Sequence, residues 1–197
     1  DNTCIGIGLY TAEDEGFYIE VLPETSPLLP EVLQMLADPN ITKIYHNSTY
    51  DLNVLKQLAK EHGQPAPDCI NVQDTALMAH VQGIPANLYH LGTEYLHYED
   101  MGDIQLLLLE HNAKTMLGVP FEQVAIKCLN DCRATYNILP VLHKLWPNEA
   151  NQRCYEVKRL LIPLLRSMVQ NGIQLNQDRL HEHYDNYSKE AFMYEDS

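Results

Sequence analysis

The chain has 197 residues, 45% of them apolar, which suits one ordinary domain or one domain with part of another. Its formal net charge of −14 argues against a broad phosphate-binding surface, because nonspecific nucleic-acid affinity comes mainly from Lys and Arg, but leaves open a narrow site where metal ions supply the positive charge. No run approaches the roughly 18 to 20 apolar residues of a membrane span, the first residues lack the blocks of a signal peptide, and the five cysteines are odd in number and scattered, so the expected setting is a reducing cytoplasm with no membrane attachment.

In chain order, residues 4 to 10 alternate Ile5, Ile7 and Leu9 with Gly6 and Gly8, the pattern of a strand with one bulky and one bare face. A turn at residues 13 to 16 and a second strand over 17 to 22 complete a hairpin. Residues 31 to 38 read as a short helix stopped by Pro39 and Asn40, residues 41 to 47 as a strand, and residues 50 to 61 as an amphipathic helix. A loop at 64 to 68 leads to a short strand at 70 to 72, a helix over 74 to 82 and another over about 88 to 96. Residues 99 to 118 carry no clear pattern. From Phe121 a stripe through Val124, Cys128, Cys132, Tyr136 and Leu139 marks a long helix running towards Trp146, with Pro140 expected to kink or shorten it. Residues 155 to 172 read as a second long helix kinked at Pro163 and ended by Asn-Gly, residues 172 to 176 as extended, and the rest as helix. The order β-β-α-β-α-β-α-α predicts an α/β domain with a mixed sheet followed by a helical module.

Two aspartates carry the chemical question. Asp51 stands in line with Val54, Leu55 and Leu58 on the apolar face of its helix, and a charge there needs a partner. Helix capping is the plain explanation, worth about 0.5 to 2 kcal/mol. Asp131 lies at the margin of the long apolar stripe, and its plain explanation is a surface pair with Lys127 four residues earlier. Cys128 and Cys132 share a helical face with no zinc-type spacing around them and read as core thiols. The nine histidines show no metal-ligand spacing either.

Taken together, NSTYDLNVL, DTALMAHV, LYHLGTEYL and CLNDCRATYNILPVLHKLW resemble the 3′-to-5′ exonuclease domain of family A DNA polymerases, the bacterial DNA polymerase I type. Asn47 and Asp51 match the Asn-x-x-x-Asp of the second exonuclease motif, Asp74 and Thr75 the following Asp-Thr helix, and Asp131 the third motif. YEVKRLLIPLLRSMVQNGIQLNQDRL looks like the segment that opens the polymerase region and leads into its thumb. The resemblance implies an α/β, ribonuclease H-like exonuclease fold over residues 1–148 and the first thumb helices of a polymerase domain over 149–197. It implies two Mg²⁺ or Mn²⁺ ions hydrolysing the terminal phosphodiester, with Asp131 and Asp51 as metal ligands and Asn47 supporting the substrate. The partners it implies are the single-stranded 3′ end of a DNA primer and the rest of the polymerase chain, in the cytoplasm of a bacterial or phage-infected cell.

Two departures accompany it. The family's first motif, Asp-x-Glu on the central strand, has no counterpart in this sequence, so the first strand is expected upstream of residue 1, the sheet is expected to be incomplete at its N-terminus, and the chain reads as an inactive fragment. The family's tyrosine four residues before the third-motif aspartate is Lys127. A neutral lysine could hold the attacking hydroxide, whereas a charged one would compete with metal for Asp131, and the sequence leaves both open. The alternatives are a non-catalytic exonuclease-like scaffold within a polymerase, which Lys127 favours, and a stand-alone ribonuclease D-type exonuclease.

Overall fold

A computed structural model describes residues 4–21, 27–67 and 70–195, with the side chains of 189–195 left aside. The chain forms two compact units, residues 1–165 and 166–197. The first begins with β1 (Gly6–Tyr10) and β2 (Gly16–Glu20), an antiparallel hairpin that pairs Ile7 with Ile19 and Gly8 with Tyr18. Then come α1 (Leu29–Ala37), β3 (Lys43–Tyr45), α2 (Ser48–Glu61), β4 (Val72–Asp74) and α3 (Thr75–Val81). β3 and β4 form a parallel pair, Lys43 beside Val72 and Tyr45 beside Asp74. Among the described residues the two strand pairs are separate sheets, not hydrogen-bonded to each other. The α/β class of the sequence reading is therefore observed, with less strand than expected: the predicted strand over 41 to 47 shrinks to three residues, and the one at 70 to 72 shifts to 72–74.

The alternation of β1 has two different purposes. Ile7 turns into a core made with Val21, Leu29, Val32, Leu33 and Leu36 around α1, and Leu55, Leu58 and Ala59 of α2. The glycine face is bare because a helix lies on it. A β-carbon on Gly8 would stand 2.6 Å from Cys128 Sγ and 2.8 Å from Cys132 Sγ, closer than atoms can sit. Those thiols belong to α6 (Phe121–Lys144), which packs against β1, β2, β3 and α3 and so links the two small sheets. The residues it buries fully are Val124, Ala134, Thr135, Ile138 and Leu142; of the stripe read from sequence only Val124 is among them, while Cys128, Cys132, Tyr136 and Leu139 are half-buried and Phe121 is exposed.

Between α3 and α6, α4 (Leu88–His90) runs into a π-helical turn, Leu91–Tyr95, with Leu91 and Gly92 buried, and α5 (Ile104–Glu110) occupies the unreadable stretch. Pro140 lies inside α6 without ending it, and the helix continues to Lys144. α7 (Glu149–Leu160) and α8 (Ile162–Asn171) replace the single kinked helix expected over 155 to 172. Pro163 is the second residue of α8, where its missing N–H leaves no hydrogen bond unmade, so the chain restarts a helix there instead of bending one. α7, grouped from sequence with the thumb-like segment beginning at 149, packs in the first unit, on α3 and β4. Its Tyr155 joins Met78, Ala79, Leu91, Ile138 and Leu142 in a second core. The second unit contains the end of α8 and α9 (Gln177–Glu195), joined through Gly172 at φ 65°. Among the described residues no helix is long and apolar enough to cross a membrane.

The close seat of α6 on β1 makes Gly8→Ala costly, since either thiol or the helix must move. An expected loss of about 1 to 3 kcal/mol, typical of overpacking, should appear as a lower urea midpoint at unchanged slope.

Candidate functional site

The site begins where β3 ends. Asn47 adopts a left-handed conformation, φ 69° and ψ 58°, which turns the chain sharply from strand into α2. Its side chain makes no cap on α2, and neither does Asp51, which sits in the first turn. The donors at this helix start are met from across the sheet. Asp74 Oδ1 accepts from the Asn47 N–H at 3.2 Å, and Oδ2 accepts from the Ser48 N–H at 2.8 Å and the Ser48 hydroxyl at 2.7 Å. Oδ1 also accepts from the Leu77 N–H at 3.0 Å, capping α3. One carboxylate thus organises the starts of two helices, and its four acceptor positions are filled.

The rest of the Asp74 surroundings fixes β4. Its backbone N–H donates to the Tyr155 hydroxyl at 3.0 Å, and that hydroxyl donates to Gln73 Oε1 at 2.9 Å. Burial pushes the Tyr155 hydroxyl up to about 12, so it remains a proton donor at neutral pH. Next to it, His46 Nε2 faces the Ala86 carbonyl at 3.1 Å and so carries the proton, while Nδ1 faces the Thr75 hydroxyl at 2.9 Å. Thr75 also reaches the Tyr45 carbonyl at 3.1 Å. Its single proton can satisfy either Tyr45 or a neutral His46, and only a protonated His46 would allow all three bonds. Burial outweighs the Ala86 carbonyl and the charges of Asp74 and Asp131, and pulls His46 below its ordinary value, towards the neutral form.

Asp51 and Asp131 fare differently. Asp51 is half-buried, the donor to its carboxylate among the described residues is its own backbone N–H, and burial, with the Asp74 charge adding, pushes its carboxyl up to about 6. Capping, the plain explanation for Asp51, is therefore not its role in this structure; Asp74 has that role. Asp131 forms the ion pair with Lys127 that its plain explanation anticipated. Burial raises the Asp131 carboxyl above the usual carboxylate range even so, against the lowering effects of Lys127 and His46. Both carboxylates lie within electrostatic reach of the Cys128 and Cys132 thiols, which hydrogen-bond to each other. That bond and burial hold the Cys132 thiol protonated.

Asp51 and Asp131 thus both act on one thiol pair, Lys127 holds Asp131, and Asn47 opens α2 through its backbone, with its carboxamide making no hydrogen bond among the described residues. Oxygen donors of this kind suit Mg²⁺ or Mn²⁺. Even so, among the described residues no three His, Cys, Asp or Glu side chains are grouped to hold a metal ion. Asp74 is filled by hydrogen bonds and Asp131 by Lys127, so the metal does not fit the side chains as they stand. Sequence reading passed over the role of Asp74, although an aspartate before Thr-Ala-Leu at a strand end is an N-cap signature. It also gave no part to His46 or Tyr155, whose partners are 29 to 82 residues away in the chain. No protein-family model matches the chain, and no curated protein and no solved structure is significantly similar to it.

Two substitutions should move stability in opposite directions. Asp74→Ala leaves the N–H groups of Asn47, Ser48 and Leu77, of which that of Ser48 is buried, without their acceptor, and should cost about 2 to 4 kcal/mol in urea unfolding. For Asp51 the folded state holds the proton more tightly than the unfolded chain, whose value is 3.8. Its contribution is therefore complete below that pH and lost as pH rises through about 6. Asp51→Asn should accordingly stabilise the protein by roughly 1 to 3 kcal/mol at about pH 8 and flatten the pH dependence of unfolding between about 4 and 6.

Proposed function

We propose that this chain is the 3′-to-5′ exonuclease-type unit of a family A DNA polymerase, joined to the opening of its polymerase region, and that its two strand pairs belong to one ribonuclease H-like sheet. The observation that supports this is that Asp51, from the helix after β3, and Asp131, from α6, both act electrostatically on the same two thiols, Cys128 and Cys132. They do so in the order and on the kinds of element that the second and third exonuclease motifs occupy in the family the sequence resembles. The substrate is the single-stranded 3′ end of a DNA primer, and the partner is the rest of the polymerase chain. The acidic balance of the chain fits a narrow substrate slot and not an extended duplex surface.

In this reading the described residues do not hydrolyse DNA by themselves. Mg²⁺ or Mn²⁺ supplies the charge that such hydrolysis needs, and the donors wanting here are those of Asp-x-Glu, a sequence the chain lacks. The Lys127–Asp131 pair gives a second reading its support: an exonuclease-like unit retained as a scaffold beside the polymerase, without catalysis.

The separating experiment is nucleotide release from a 5′-labelled single-stranded DNA with Mg²⁺ or Mn²⁺. It compares the chain alone, the chain extended at its amino end by a strand carrying Asp-x-Glu, and each with Asp131→Ala. We expect no release from the chain alone and metal-dependent release from the extended chain, lowered at least ~100-fold by Asp131→Ala. A folded, extended protein that releases nothing would establish the scaffold reading instead.

A further inference from the structure

The ion pair between Lys127 and Asp131 is built by its surroundings. With the base four residues before the acid, it has the weaker of the two orders on an isolated helix, where acid before base is preferred. The Lys127 side chain is only 13% exposed. Its stem runs beside Gly102, a bare position at φ 62° where a β-carbon would already touch Lys127 Cδ at 3.5 Å. The other base nearby on α6, Arg133, is engaged elsewhere: its Nη2 bonds both carboxylate oxygens of Asp100 at 2.6 and 2.7 Å, and its guanidinium lies 4.4 Å from the Tyr98 ring centroid. Each base is thus matched to its own acid, and the one matched to Asp131 is Lys127.

We infer that Lys127 is a tethered cation standing in the place of a divalent metal on Asp131, so that this carboxylate stays closed to metal until the ammonium is moved aside. The two cations compete for the same oxygens and repel each other across a few ångströms. The ammonium has the advantage of being covalently held at the site, whereas Mg²⁺ must give up tightly bound water to enter. The inference rests on the proposed reading of Asp131 as a nuclease-type carboxylate and regulates that same site. It accounts for the part of the misfit that falls at Asp131.

The experiment uses Mn²⁺ alone, without DNA, following free Mn²⁺ by its paramagnetic resonance as the full chain is titrated. Wild type should show no Mn²⁺ site that depends on Asp131. Lys127→Met should gain a site at least ~10-fold tighter, which Asp131→Asn in the same chain removes, while Lys127→Arg, which keeps the charge, should bind as wild type does. If circular dichroism shows Lys127→Met unfolded, Lys127→Gln takes its place with the same expectation. Equal Mn²⁺ binding by wild type and the neutral variants, or a gain that survives Asp131→Asn, overturns the inference. A gain in Mn²⁺ binding with no DNA hydrolysis by the extended chain leaves the tethered cation standing and removes the nuclease reading. Hydrolysis with unchanged Mn²⁺ binding does the reverse.

Discussion

The carboxylate of Asp74, buried at the end of β4, holds four donors, and the placing of both α2 and α3 follows from that. A short parallel pair of three residues per strand has little ladder of its own to fix its register. Here the register is fixed from its end: Tyr45 pairs with Asp74, the chain turns through a left-handed Asn47, and the amides of Asn47 and Ser48 point back at the Asp74 carboxylate. Each bond is charge-assisted, and the two from Ser48 are buried, which is where such bonds contribute most. The same residue receives α7 from its other side through Tyr155. Three helices and a strand are therefore positioned by one side chain and its amide.

This explains why Asp51 does not cap the helix it stands in. A helix N-terminus normally attracts the nearest carboxylate, and Asp51, in the first turn of α2, is the obvious candidate. Because Asp74 already meets those amides from across the sheet, Asp51 is left buried with its charge poorly compensated. A fold tolerates that state when the charge has a use, and the cost recurs at functional sites for that reason. Asp131 is the converse, a carboxylate whose charge is already answered by Lys127. The pair of aspartates that looks symmetrical in sequence is electrostatically unlike in the structure.

Local patterns made much of the fold legible. The hairpin, α2, α3 and the long α6 all stand within a few residues of where period-two and period-3.6 patterns put them, because each has one face in a core. The failures share a cause as well. α5 buries no residue fully, so nothing in residues 104–110 marks a core face. The π turn at Leu91–Tyr95 depends on what packs around it: Met101 fills the space over Gly92, so that a β-carbon there would lie 2.6 Å from its sulfur. For the site, Asp51, Asp131 and Lys127 were legible as candidates from spacing. The division of roles between Asp51 and Asp74 was not, since it is decided by contacts between residues 26 and 27 positions apart.

Charge ties these observations together. With 27 acidic residues against 13 basic ones, the chain has too few bases to answer each acid, so acids shielded wholly or in part are met in different ways. Asp74 is met by amides and a hydroxyl, and Asp131 by an ammonium. Arg133 is held by Asp100 and Arg159 by Glu156, so neither is spare for Asp51. Asp51 could be relieved by protonation, or by a cation from outside the chain. Protonation suffices below its own raised value and fails above it, where only a positive charge could answer the carboxylate. The electrostatic asymmetry of the site thus places its demand for positive charge at Asp51 first, and at Asp131 only once Lys127 has let go.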